Sequence, residues 1–234
     1  MSDRYPGGII TKTPVVPAGP YAEGAAPGVW TLEQQAYYQA QGLWPNASNP
    51  TPNDPYFQYV TSLLHGDGTN GGQNNTFLDS SSNAFTITRN GNTTQGSFSP
   101  YGSNWSNYFG TGAANYLTTS TSQIVPASGA YTIEAWVYIA NAASYACIID
   151  TRSATTNSFA FGIYNTSGLK LDFYWNSTRL TGTTILATST WYHVAATRFS
   201  GTLYLWINGV QEASVANTVN FSPSAQTTAR IGAT

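Results

Sequence analysis

Glu134 and Asp172 are the acids that this sequence places in mid-strand, so their chemistry depends on whether a second carboxylate stands nearby. Retaining hydrolysis of a glycosidic bond needs two carboxyl groups ~5–5.5 Å apart, drawn from one strand face or from adjacent strands. The chain has ten acids and none falls in an E-x-D-x-x-E arrangement. Nucleophilic chemistry has no better support: no G-x-S-x-G elbow occurs, and His65 and His193 lack ligand-spaced partners. His193 alternates with Trp191 and Ala195 and reads as a hydrogen-bonded sheet residue. Cys147, the single cysteine, lies in the apolar run Ala146-Cys147-Ile148-Ile149 and reads as a buried, inert thiol. Gly66 to Gly71 fits G-x-G-x-x-G, but no helical periodicity follows, and a dinucleotide site needs a helix N-terminus there. That segment is a loop.

Aromatic side chains offer a different chemistry. A saccharide is held by rings stacked on its faces and framed by a few polar groups. Trp136, Tyr138, Tyr174, Tyr204 and Trp206, with Glu134, Asp172 and Asn208 interspersed, are the candidate glycan-binding residues. The plainer reading is that such rings pack under loops or against a neighbouring subunit.

Strands must carry these residues. YTIEAWVYI, from Tyr131 to Ile139, alternates strictly between an aliphatic and a polar-aromatic face, the two-residue period of a half-buried strand. WYHVAATRF, TLYLWI and VQEASV follow as a meander broken by Ser200-Gly201 and Asn208-Gly209. Asn-Gly is the strongest short hairpin signal, since both central residues take positive φ. Further strands are expected at Tyr59–Leu64, Ala84–Arg89, Tyr116–Thr118, Tyr145–Asp150, Ser158–Tyr164, Leu169–Trp175, Thr183–Leu186 and Ala229–Ile231, while Gly96–Pro100 and Asn107–Phe109 flank a loop carrying Trp105. Many short strands at this spacing predict an all-β antiparallel sandwich or jelly roll over residues 56–234. Asn-x-Ser/Thr triplets such as Asn176-Ser177-Thr178 follow from the composition.

Residues 1–55 differ. Nine of the twelve prolines fall here, so the segment is expected to be an extended arm. One helix is predicted over 31–41, with Thr31 as N-cap, Gln34 at the capping-box position and Gly42 as stop. Ile9, Ile10, Val15, Val16, Val29, Trp30, Tyr37, Tyr38, Leu43 and Trp44 are costly to leave in water, so the arm is expected to dock on a partner. Only 8% of the residues are charged and the formal net charge is −2, which provides no footprint for nucleic acid. No apolar run approaches the ~20 residues that span a bilayer, and the N-terminus does not read as a secretory signal. No membrane partner is expected.

The phrases LLHGDGTNGGQNNTFLDSSSNAFTITRNGNTTQGSFSPYGSNWSNYF, YTIEAWVYI, WYHVAATRFSGTLYLWINGV and ARIGAT resemble the concanavalin A-like (laminin G-like) jelly-roll domains of tailed-phage virion proteins, those of marine and cyanobacterial phages especially. The segment GGIITKTPVVPAGPYAEGAAPGVWTLEQQAYYQAQGLWP is similar to an N-terminal module recurring on such proteins. The resemblance implies a non-enzymatic virion structural protein, a tail fibre or spike or a capsid decoration protein. It implies an arm that docks on other virion proteins, a homo-oligomer (a trimer for a fibre), and contact with a host-surface glycan. Alternatives are a lectin-like module of a larger secreted protein and, third, a glycoside hydrolase. No organic cofactor is expected. Calcium occurs near strand ends in some relatives, which makes Asp67, Asp79 and Asp150 its candidates here, although no D-x-D-x-D cluster supplies the six to eight oxygens it takes. Domains of this type run past the IGA phrase into a further strand pair, whereas this chain stops at Thr234. The Tyr59–Leu64 edge is therefore expected to be paired in trans or shielded by residues 1–55.

Overall fold

A computed structural model describes residues 4–5, 8–9, 31–40, 57–66, 76–96, 98–101, 105–120, 124–126, 128–141, 145–152, 157–221 and 228–232. The chain divides into two units, Met1–Val60 and Thr61–Thr234.

In the first unit β1 (Arg4–Tyr5) pairs antiparallel with β2 (Gly8–Ile9), and α1 spans Leu32–Ala40. Its start is the capping box expected from the sequence. Thr31 N–H donates to Gln34 Oε1 at 2.9 Å, and Gln34 N–H donates to Thr31 Oγ1 at 3.2 Å. Ala36, Tyr37 and Ala40 are exposed, and Tyr37 meets Tyr38 edge-on. Ile10, Val15, Val16, Val29, Trp30, Leu43 and Trp44 lie outside the described residues.

The second unit contains β3 (Thr88–Asn90), β4 (Thr94–Gly96), β5 (Ser106–Tyr108), β6 (Tyr116–Ser120), β7 (Tyr131–Tyr138), β8 (Tyr145–Asp150), β9 (Phe159–Asn165), β10 (Leu169–Trp175), β11 (Thr178–Thr181), β12 (Trp191–Phe199), β13 (Thr202–Ile207), β14 (Val210–Ala216) and β15 (Thr228–Ile231). They form a seven-stranded sheet ordered β11-β10-β9-β8-β15-β6-β3, a four-stranded sheet ordered β14-β13-β12-β7, and a β4-β5 ribbon, with every pairing antiparallel. The chain crosses between the two large sheets at β6–β7, β7–β8, β11–β12 and β14–β15.

Alternation decides what lies between the sheets. Phe159, Phe161, Ile163, Leu171, Phe173 and Trp175 from the larger sheet join Val194, Ala196, Leu203, Leu205 and Ile207 from the smaller one in a single buried cluster. Phe159 and Phe173 stack 5.1 Å apart with 9° between their planes, and Phe221 closes on both. Each such ring, removed from water, contributes about 2–3 kcal/mol. Both meander turns take the predicted conformation: Ser200 and Gly201 have φ of 49° and 75°, and Asn208 and Gly209 have 49° and 79°.

Three strand expectations are corrected. Tyr59–Leu64 is not a strand: Phe57–Tyr59 is a 3-10 turn, and Val60–Gly66 joins no ladder. The Asp79 carboxylate takes the place of a strand partner, accepting the Leu63 N–H at 2.8 Å, while Leu63 O accepts from Ser80 N–H. The predicted strand Ala84–Arg89 shrinks to Thr88–Asn90 with one bridge at Thr86, because Ala84 has φ of 48° and breaks the extended run. Thr183–Leu186 is irregular, its first N–H groups being taken by Glu212 Oε2, and the strand lies instead at Thr178–Thr181. A hairpin through Asn176 (φ 42°) and Ser177 (φ 65°) returns the chain from β10 to β11.

Candidate functional site

The inward positions of β7, β12 and β13 are mostly aliphatic, with Tyr131 and Tyr192 packed against the core, which leaves Trp136, Tyr138, Trp191, Tyr204 and Trp206 on the outside of the four-stranded sheet. Register sets them in rows: Tyr138 opposite Trp191, Trp136 opposite His193, Ala195 between Glu134 and Trp206, and Thr197 opposite Tyr204. Tyr138 and Trp191 have ring centroids 5.4 Å apart, and Trp136 and His193 5.5 Å. Phe98, from the segment joining β4 to β5, stacks on Trp191 at 5.3 Å and meets Tyr138 edge-on at 4.7 Å, while Tyr101 meets Trp136 edge-on at 5.4 Å. Trp136 keeps 41% of its surface exposed. Trp206 turns its N–H to Thr197 Oγ1 at 2.8 Å, and Tyr204 stands 6.1 Å from it. Glu134 Oε2 lies 3.5 Å from His193 Nε2. The result is an aromatic surface with one carboxylate, suited to stacking and hydroxyl recognition.

The outside of the seven-stranded sheet is built differently. It carries Arg152, Lys170, Arg179 and Arg230, four of the chain's eight basic residues. Asp172 is fully buried and accepts from Arg179 Nη1 at 2.6 Å and Thr181 Oγ1 at 2.9 Å. Burial pushes its carboxyl above the ordinary range, against the pull of Thr181 and of the Arg179 charge. The Arg179 guanidinium sits 3.9 Å from the Tyr164 ring and 4.9 Å from Tyr174, and Arg152 sits 5.1 Å from Tyr145 while holding Asp150 through two nitrogens. Asp172 and Tyr174 thus anchor a tyrosine–arginine lattice. Cys147 lies within it, its thiol pushed up to about 12 by burial and by the Asp150 charge.

The eight predicted glycan residues therefore do not share one face. Glu134, Trp136, Tyr138, Tyr204 and Trp206 come together outside the four-stranded sheet, whereas Asp172 and Tyr174 lie on the opposite side of the core. A two-residue period tells in from out but not which sheet a strand joins. Asn208 serves the β13–β14 turn, its Oδ1 accepting from His193 N–H at 2.9 Å and its own N–H donating to His193 O. His193 is thus hydrogen-bonded through its backbone, and its ring belongs to the aromatic surface. Trp191, Phe98 and Tyr101 were missed. The alternation of β12 could have revealed Trp191, but no local signal brings the other two over the sheet.

Two of the three candidate calcium ligands are engaged by protein groups. Both Asp79 oxygens are filled, Oδ1 by the N–H groups of Leu63 and Ser81, and Oδ2 by Phe85 N–H and Ser81 Oγ–H. Asp150 is held by Arg152, and Asp67 lies outside the described residues. Among the described residues no three His, Cys, Asp or Glu gather in a group that could hold a metal.

Sheet order, register and core define a lectin-like jelly-roll domain. Residues 109–234, more than half of the chain, match the concanavalin A-like lectin/glucanases superfamily, laminin G type, and the chain belongs to that superfamily. Among solved structures, a receptor-binding domain is similar at 15% identity and TM-score 0.52, over 77% of this chain and 46% of that one. The binding domain of botulinum neurotoxin serotype C1 is similar at 14% identity and TM-score 0.51, over 73% of this chain and 42% of that one. Domain 4 of a GH43 extracellular arabinanase from Geobacillus stearothermophilus, solved with arabinotriose, is 18% identical at TM-score 0.49, covering 66% of this chain and 77% of that domain. At these identities the likeness is one of fold, and the chain spans less than half of the first two proteins. Comparison with curated protein sequences returned no match.

Proposed function

We propose that the protein is a non-enzymatic structural component of a tailed-phage particle that displays its jelly roll outward and contacts a host-surface saccharide. The observation that carries the binding role is the open aromatic surface around Trp136, with rings from three strands and a single carboxylate, Glu134, beside His193. Catalysis by a carboxylate pair is disfavoured because Glu134 lies on one side of the sandwich, while Asp150 and Asp172 lie on the other, each engaged by arginine. The particle role rests on the sequence resemblance and on the N-terminal segment, residues 1–55, as the arm that docks on other virion proteins. A homo-oligomer, trimeric for a fibre, suits that role.

A glycan array tests the first part: wild-type protein is expected to bind a defined set of glycans, and Trp136→Ala to lose them. Binding indifferent to that change would sink the saccharide surface. For the second part, removing residues 1–50 should leave a folded jelly roll by circular dichroism that no longer incorporates into particles. Normal incorporation would overturn the docking role and favour a lectin-like module of a larger secreted protein.

A further inference from the structure

The aromatic surface is read above as saccharide-binding, and this inference rests on that reading; the charges and spacing around the surface narrow the class of saccharide. We propose that it selects neutral oligosaccharides over acidic ones and holds them at two platforms, Trp136 on β7 and Trp206 on β13.

The spacing argues for a chain of sugars. Trp136 is opposite His193, and Trp206 is opposite Ala195, two residues further along β12. Two inter-strand steps of ~4.8 Å and two residue steps of ~3.4 Å put the tryptophan Cα atoms ~12 Å apart. One pyranose stacks on one ring, so occupying both takes several linked units. Between the platforms the sheet carries Ala195, which is buried, so the side chains around it and not its methyl group form the floor there.

Charge argues for neutrality. The Glu134 side chain is 61% exposed and stands beside Ala195, within reach of a sugar on either platform. No Lys or Arg occupies an outward position on the four strands, Arg198 being buried with its Nε on Gly129 O. The sequence from Gly96 to Ser106, which includes Phe98 and Tyr101, has no charged residue. A sugar carboxylate or sulfate would meet Glu134 with no Lys or Arg to offset it; the His193 imidazole, 3.5 Å from Glu134 Oε2, is a neighbour that a proton could make cationic. At ~6 Å and an effective dielectric of ~40, that repulsion lowers affinity about tenfold. Hydroxyl groups meet a carboxylate acceptor instead, in a charge-assisted hydrogen bond.

The test titrates the full chain at low ionic strength with neutral gluco-, manno- and galacto-hexasaccharides, their C6-carboxylate counterparts and the monosaccharides. The neutral hexasaccharide that binds is expected to bind tenfold or more tighter than its acidic counterpart, and Glu134→Gln to narrow that gap severalfold. Trp206→Ala is expected to bring hexasaccharide affinity down toward that of the monosaccharide. Equal or tighter binding of the acidic form, an unchanged gap in Glu134→Gln, or an unaffected Trp206→Ala would each overturn the proposal while leaving a saccharide surface in place. Failure to bind any of the sugars, or binding that Trp136→Ala does not touch, would remove the saccharide reading itself.

Discussion

Asp79→Asn probes how the first stretch of the jelly-roll unit is held without a strand. The carboxylate is buried and accepts four hydrogen bonds, from Leu63, from Phe85 and twice from Ser81. Asparagine keeps Oδ1, and with it the Leu63 and Ser81 N–H bonds. It replaces Oδ2 by an amide that can only donate, which leaves the Phe85 N–H without an acceptor, while the Ser81 hydroxyl can turn its proton to Thr61 O and accept from the amide. One hydrogen bond to a charged acceptor is lost outright, at about 1.5–3 kcal/mol at neutral pH. For a unit of this size that lowers the melting temperature by about 3–12 °C. The pH dependence carries a second signature. Burial raises the Asp79 carboxyl, but the four donors outweigh it and hold it below its ordinary value of 3.8. The unfolded chain therefore binds the extra proton, and this stability is fully present above pH ~3.8 and lost as pH falls through the folded value. Calorimetry of both proteins between pH 7 and pH 2.5 should show the gap closing on the acid side. A chelator should leave the wild-type melting temperature unmoved. A gap under about 1 kcal/mol at pH 7, a gap that does not narrow as pH falls below 3.8, or a chelator-sensitive transition would refute the reasoning.

Three further outcomes follow from the geometry. At pH 8 a thiol with a value of about 12 is ionised to on the order of one part in ten thousand, so Cys147 should resist Ellman's reagent until urea is added; rapid native labelling would show an open site. Gly162→Ala should cost about 3 kcal/mol or more by urea denaturation, since its Cβ would fall 2.2 Å from Ala146 O and 2.8 Å from Cys147 Cα, backbone atoms of β8; a neutral variant would mean that β8 can retreat. Trp136→Ala should change stability by less than about 1 kcal/mol, whereas Phe173→Ala should cost about 3–5 kcal/mol; comparable losses would contradict the assignment of outward and inward faces.

Local pattern carried much of this molecule. The period of two in Tyr131–Tyr138 and in the meander, with Ser200-Gly201 and Asn208-Gly209 between its segments, places β7, β12, β13 and β14 within a residue or two, because side-chain alternation and positive-φ turns are properties of a few adjacent residues. The capping box of α1 is local in the same sense. Where a side chain from elsewhere supplies the hydrogen bonds, the pattern misleads. Asp79 replaces a strand for Leu63, Glu212 does so for Thr183 and Thr184, and the Asn176-Ser177 hairpin is hidden by the lack of a glycine.

Alternation also told which residues of each strand face away from the core, and so which aromatic rings were free to act. It could not assign those strands to sheets. Trp136 and Tyr174 carry the same local signature, yet β7 pairs with β12 while β10 pairs with β9 and β11, and the two rings end on opposite sides of the sandwich. Packing of distant segments, with Phe98 and Tyr101 brought over β7 and β15 threaded between β8 and β6, depends on contacts among residues far apart in the chain, and these made one face aromatic and the other a lattice of arginine and tyrosine.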